Sequence, residues 1–161
     1  MRSEHARWFA VGIAGLAIVG LGLIAAPRIA GAVVDGDVRA GVYPDANAVS
    51  VGGGVLAPMG TSGRWFFNPN LEVAMGSSRD IIAMSGDFHY DFAEQGSASF
   101  WMGGGPAVLV TDRQFGPNDT DLGLNVLTGV GARHGDVRPF AQLRGTMANN
   151  SQVALAAGIR F

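Results

Sequence analysis

The C-terminal stretch Ser151–Phe161 alternates strictly between two chemistries. Side chains on a strand alternate faces with period two. Val153, Leu155, Ala157, Ile159 and Phe161 therefore point one way, and Gln152, Ala154, Ala156, Gly158 and Arg160 point the other. One face is apolar, the other is small or polar, and the stretch closes on an aromatic. In a soluble sheet the apolar face would be the core. Repeated strand after strand, with the charges always on the opposite face, the same alternation describes a barrel standing in lipid.

The beginning of the chain reads as an address. Arg2 and Arg7 precede the apolar run Trp8–Ala26, and Ala30, Gly31 and Ala32 form a small-x-small site at which a signal peptidase can cut. Residues 1–32 are therefore expected to be a secretory signal peptide, and residues 33–161 one domain. The apolar run exceeds the usual signal core of about 7–15 residues, so an uncleaved membrane anchor is the alternative.

Composition removes several classes of function. The chain has no cysteine, hence no disulfide framework, thiolate metal site or thiol nucleophile. Every basic residue is arginine, and the formal net charge of -2 gives no basic footprint, so no nucleic-acid partner is expected. Glycine makes up 25 of 161 residues without a collagen-like period, which fits many tight turns and crowded strand faces.

Past residue 32 the sequence divides into eight strand-length segments separated by turn residues. The first runs over about Val38–Tyr43 and turns at Pro44, Asp45, Ala46 and Asn47, and the second runs over Ala48–Met59 and turns through Gly60–Gly63. The third sets Trp65, Phe67, Leu71, Val73 and Met75 against Arg64, Asn68, Asn70 and Glu72. The fourth sets Ile82, Met84, Phe88, Tyr90 and Phe92 against Ser85, Asp87, His89 and Asp91. The fifth, about Ala98–Thr111, contains Gly103, Gly104, Gly105 and Pro106, which predict a kink or bulge. The sixth opposes Leu122, Leu124, Val126 and Val130 to Asp121, Asn125 and Arg133, and the seventh opposes Val137, Ala141, Leu143 and Met147 to Arg138, Gln142, Arg144 and Thr146.

Alternation alone does not say which face is inside, and a soluble lipocalin-like barrel would invert the assignment. The polar face decides for lipid outside. It is sparse and rich in arginine, whose planar fork suits bidentate bonds in a confined interior. Trp65, Tyr90, Phe92, Phe100 and Phe161 are expected to form aromatic girdles at both membrane interfaces.

At this point the chain resembles a known family. The stretch Val137-Arg-Pro-Phe-Ala-Gln-Leu-Arg144 followed by Asn149-Asn-Ser-Gln-Val-Ala-Leu-Ala-Ala-Gly-Ile-Arg-Phe161 resembles the closing hairpin of small bacterial outer-membrane β-barrel proteins, the OmpA/OmpX-like group. Trp65-Phe-Phe-Asn-Pro-Asn-Leu-Glu72 and Phe100-Trp-Met-Gly-Gly-Gly-Pro-Ala107 resemble other strands of such barrels. The resemblance implies export through the periplasm, contact with periplasmic chaperones, and assembly by the outer-membrane insertion machinery with Phe161 as the recognised terminal signal. It also implies a bacterial outer-membrane location in contact with lipid. Unlike the largest relatives, no peptidoglycan-binding domain is expected after the barrel.

The fold expected is thus an all-β, eight-stranded antiparallel transmembrane up-and-down barrel. Its polar lumen would hold Arg39, Glu72, Asp87, His89, Asp91, Arg133, Arg138, Gln142, Arg144 and Arg160, with Glu72 paired to Arg138 or Arg144. Such a pair either rigidifies the interior or switches partners as a gate. Asp87, His89 and Asp91 share a strand face and have metal-ligand or general-base chemistry, but a polar lumen explains them as well, and no metal or cofactor is expected. His134 beside Asp136 lacks a serine in any recognisable motif, so a lipid-modifying hydrolase stays an alternative only. The Gly52–Gly54 and Gly103–Gly105 runs lack the helix and lysine of a phosphate loop and read as close packing. An adhesin would need long loops, and only about Asp112–Thr120, with Phe115, has reach. The function expected is that of a monomeric, non-enzymatic, structural outer-membrane protein with at most narrow permeability to small solutes.

Overall fold

The computed structural model describes residues 34–77, 79–92, 96–113 and 118–161. The expected signal segment, the first residue of the mature chain and Phe115 lie outside the described residues. The alternating segments form β1 (Asp35–Tyr43), β2 (Ala48–Met59), β3 (Trp65–Gly76), β4 (Arg79–Asp91), β5 (Ala98–Arg113), β6 (Asp119–Ala132), β7 (Arg138–Met147) and β8 (Gln152–Arg160). Each strand pairs antiparallel with the next, and β8 pairs with β1, so the sheet closes into a barrel in sequence order. Closure removes every sheet edge, which a chain without access to water requires.

Three strands extend beyond their expected limits. The first strand begins at Asp35 rather than Val38, because Asp37 pairs with Gly54 on one side and Arg160 on the other. The loop expected over Asp112–Thr120 shrinks to residues 114–118, because Asp112 pairs with Asp80, and Asp119 and Thr120 pair with Thr111 and Val110. The one loop expected to reach outward is therefore short.

The bulge expected in β5 is absent. Arg79↔Arg113 and Asp91↔Trp101 belong to one register with β4, and Ala98↔Ala132 and Thr111↔Asp119 belong to one register with β6. The glycines and Pro106 interrupt the pairing locally without inserting a residue. Following the registers round from Asp35 through Leu56, Asn68, Asp87, Gly105, Asn125, Thr146 and Gln152 arrives back level with Asp45, a stagger of ten residues. Eight strands staggered in this way tilt by roughly 35–45° and enclose a space just wide enough for side chains.

The facing matches the inside-out assignment. Val49, Met75, Met84, Leu122, Leu124, Val126 and Leu155 are exposed, whereas Arg39, Glu72, Asp87 and Arg144 are buried. A soluble protein does not expose a continuous apolar wall of this extent, so the lipocalin-like inversion is excluded. In the run read as close packing, a Cβ at Gly103 or Gly105 would run into the backbone of β4, and one at Gly104 into that of β6. Gly129, directly across from Trp101, lies under the Trp101 indole, where a side chain would collide with the ring.

Among the described residues, the aromatics expected to form girdles at both interfaces gather at one. Trp65 and Tyr90 have ring centroids 5.1 Å apart, Tyr90 and Phe92 4.9 Å, and Phe92 and Phe100 6.0 Å. These residues and Phe161 stand where odd strands begin and even strands end, so antiparallel pairing gathers them on the rim that carries the β1 start and the β8 end. The opposite rim carries Asp45, Arg79, Asp80 and Asp112 and, among the described residues, no outward aromatic.

The seam between β1 and β8 is tight. A Cβ added at Gly158 would run into the Val38 carbonyl of β1 and sit 2.8 Å from Phe140 Cζ on β7. Gly158→Val is expected to destabilise the barrel by about 1–3 kcal/mol. The readout is a lower urea midpoint for the change from the compact, fast-migrating gel band to the unfolded one, and an unchanged midpoint would show that the seam has slack.

Candidate functional site

The lumen is stratified. Towards the rim opposite the termini, Tyr43, Ala46, Ala48, Ala74, Ile81, Ala83, Leu109 and Ala154 form a buried apolar cluster. At the other end Trp101, Leu127 and Phe140 form a second. The ionic network lies between them.

Glu72 is its centre. Arg144 Nη2 donates to Glu72 Oε2 at 2.8 Å and to the Tyr43 hydroxyl at 2.7 Å, and the Tyr43 hydroxyl donates to the same carboxylate oxygen at 2.9 Å. Arg39 Nη1 stands 3.6 Å from Glu72 Oε1 on the other side. Arg39 in turn grips Asp37 through Nε to Oδ1 and Nη2 to Oδ2, both at 2.8 Å. The planar fork of arginine matches a carboxylate in this bidentate way. A Cβ at Gly52 would lie 2.5 Å from Glu72 Cγ, so the bare backbone of β2 is what makes room for the Glu72 side chain.

Amides complete the network. Asn68 donates to Asp37 Oδ2 at 3.1 Å and accepts from Arg39 at 3.1 Å. Asn70 accepts from Arg144 Nη1 at 3.3 Å and donates to Asp87 Oδ2 at 3.0 Å, while Asn125 donates to Asp87 Oδ1 at 2.8 Å. Thr146 donates to Asn125 at 2.7 Å. The carboxylates of Asp37, Glu72 and Asp87 thus face the guanidiniums of Arg39 and Arg144, each held by further hydrogen bonds, as buried charges require.

Several expected lumen residues do other work. Arg138 does not pair with Glu72. It lies at the start of β7 on the rim and pairs with Asp35 at 2.6 Å, because the registers set Arg138 level with Arg160 and Asp37, across β8 from the start of β1. Gln142 accepts from Trp101 Nε1 at 3.4 Å. Arg160 lies over the Trp101 ring at 4.1 Å and the Phe140 ring at 4.8 Å, a stacked cation rather than an ion-pair partner. Arg133 follows the last residue of β6, outside the central network. Asp87, His89 and Asp91 face inward as expected but diverge: Asp87 is held by the asparagines, His89 lies parallel to Trp101 at 6.3 Å, and Asp91 accepts from Ser99. Among the described residues no group of His, Cys, Asp or Glu converges as a metal site would.

Sequence reading missed Asp37 because the first strand was begun too late, and Tyr43 because it was assigned to a strand end beside a turn. It also missed the apolar half of the lumen. Trp101, Leu109, Leu127 and Phe140 are buried inside, and the period-two pattern would have placed them there had each strand been counted through instead of sorted by polarity.

This closed antiparallel barrel, apolar outside and polar within, has the fold of the eight-stranded transmembrane barrels of outer membranes. The structure is similar to the N-terminal β-barrel domain of Pseudomonas aeruginosa OprF, with a TM-score of 0.62 and 14% identity over 80% of this chain and 96% of that one. It is also similar to Neisserial surface protein A, with a TM-score of 0.59 and 18% identity over 79% of this chain and 92% of that one. The outer-membrane enzyme PagL matches with a TM-score of 0.52 and 10% identity, over 79% of this chain and 98% of that one. No protein-family model matches the sequence, and no curated protein matches it significantly.

Breaking a buried ionic pair costs about 3–5 kcal/mol, whereas replacing both partners by apolar groups costs far less. Glu72→Ala is therefore expected to lower unfolding stability in micelles by about that amount, and Glu72→Leu combined with Arg144→Met to recover most of it. Equal losses in the single and double variants would place the stability elsewhere.

Proposed function

We propose that the protein is a non-enzymatic, structural β-barrel of the bacterial outer membrane, OmpA/OmpX-like in kind, with at most a narrow passage for small solutes. The observation that carries this reading is the filled lumen. An apolar layer around Tyr43, Ile81 and Leu109, the network on Glu72, and an aromatic layer of Trp101 and Phe140 capped by Arg160 succeed one another along the axis. Such an interior supports a rigid plug in lipid rather than a water-filled pore.

The lipid-modifying alternative draws support from the likeness of fold to PagL. Against it, the two histidines among the described residues are badly placed for attack on a lipid. His89 is buried beside Trp101, and His134 stands exposed in the connection between β6 and β7. The partners of the proposed role are outer-membrane lipid, periplasmic chaperones and the insertion machinery, with the barrel acting as a monomer. Phe161 suits the part of an assembly signal: it is exposed, and its backbone pairs with Gly36 at 2.9 and 3.0 Å as the final rung of the seam.

The test is conductance in planar bilayers together with sugar uptake by liposomes. The folded chain is expected to pass neither sugars nor porin-sized currents, and Trp101→Ala with Phe140→Ala to raise ion flux by opening the aromatic layer. Large, stable currents from the unaltered protein would sink the structural reading. Conversion of outer-membrane lipids, lost in His89→Ala or His134→Ala with the fold intact, would establish the enzyme instead.

A further inference from the structure

A groove of about 710 Å³ crosses the outer wall of the barrel from β2 to β6. Its floor is made by Pro69, Gly86 and Pro106 on successive strands, all facing outward, and its side by Leu71, Met84 and Val108. Proline inside a sheet is costly because it removes a ladder hydrogen bond. The cost is visible: the β2–β3 pairing lapses between Gly54↔Asn70 and Ala57↔Phe67, and the β4–β5 pairing lapses between Ser85↔Ala107 and Phe88↔Gly104. At Pro69 the loss is repaired from within, since the Val55 carbonyl accepts from Asn68 Nδ2 at 2.9 Å. The depression is thus built into the wall and tied to the interior network through Asn68.

We propose that this groove seats one acyl chain of a membrane phospholipid. It lies inside the apolar band, flanked by exposed Phe88, Met84 and Leu124, and is continuous with the surface that hydrocarbon covers. Adjacent strands lie about 4.8 Å apart, so a groove from β2 to β6 is about 19 Å long, the reach of an extended lipid tail. A second copy of the chain is a poorer occupant, because a barrel presents a convex wall and a convex wall does not fill a groove. The inference goes beyond the structural reading and does not depend on whether the lumen conducts.

The test is native mass spectrometry of the full chain, refolded into dimyristoylphosphatidylcholine vesicles and extracted into mild detergent. A Cβ at Gly86 would meet Phe67 at 3.4 and 3.5 Å, ordinary contact, so Gly86→Phe fills the groove without disturbing the ladder. The unaltered barrel is expected to retain one phospholipid. Gly86→Phe, and Gly86→Leu should the larger side chain impair folding, are expected to retain it about tenfold less, equivalent to about 1.4 kcal/mol. Ala157→Phe, outward on β8 and away from the groove, is expected to retain it fully, with heat-modifiable migration establishing the fold of each variant. No retained lipid on the unaltered barrel, equal retention by Gly86→Phe or Gly86→Leu, or a barrel dimer that Gly86→Phe abolishes would each overturn the proposal. Failure here, with conductance still absent, would leave the structural reading standing.

Discussion

Closure of the sheet is the constraint on which everything else rests. In hydrocarbon an unpaired backbone N–H or C=O costs several kcal/mol, so each strand must find both neighbours, and the first must find the last. The chain meets this with unbroken registers whose stagger brings β8 back against β1, ending on the mutual backbone pair of Gly36 and Phe161. Once the number of strands and the stagger are given, radius and tilt follow. The interior is then too narrow for anything but side chains.

That narrowness explains the chemistry of the lumen. Charged groups at the level of Glu72 have no bulk water to turn to, so each carboxylate is met by a guanidinium, an amide or a hydroxyl. Above and below, apolar side chains fill the space, and Arg160 uses ring faces instead of a carboxylate. A network held between two apolar layers has little freedom to change partners, which favours a rigid plug over a switching gate. Glycines on the inner face supply the room: Gly52 for Glu72, and Gly129 for Trp101.

The likeness to OprF and Neisserial surface protein A at 14% and 18% identity shows how little of this fold depends on particular side chains. Alternation, turn chemistry and strand count suffice to specify it. Within that fold, Pro69 on β3 and Pro106 on β5 flank Gly86 of β4 on one wall.

The sequence by itself determined which residues face lipid. Period-two alternation is a property of the extended backbone, so Val153, Leu155, Ala157 and Ile159 declare their face without reference to any neighbour. It likewise placed Glu72, Asp87 and Arg144 inside. Only the tertiary structure decided which inward residues meet, because partners across a barrel are set by stagger, a sum over all eight registers that no single strand carries. Arg144 reaches Glu72, while Arg138, three inward positions away on the same strand, reaches Asp35 instead. Likewise the aromatics collect on one rim because strand direction alternates. The breaks at Pro69 and Pro106 become a groove only because β4, carrying Gly86, joins their strands.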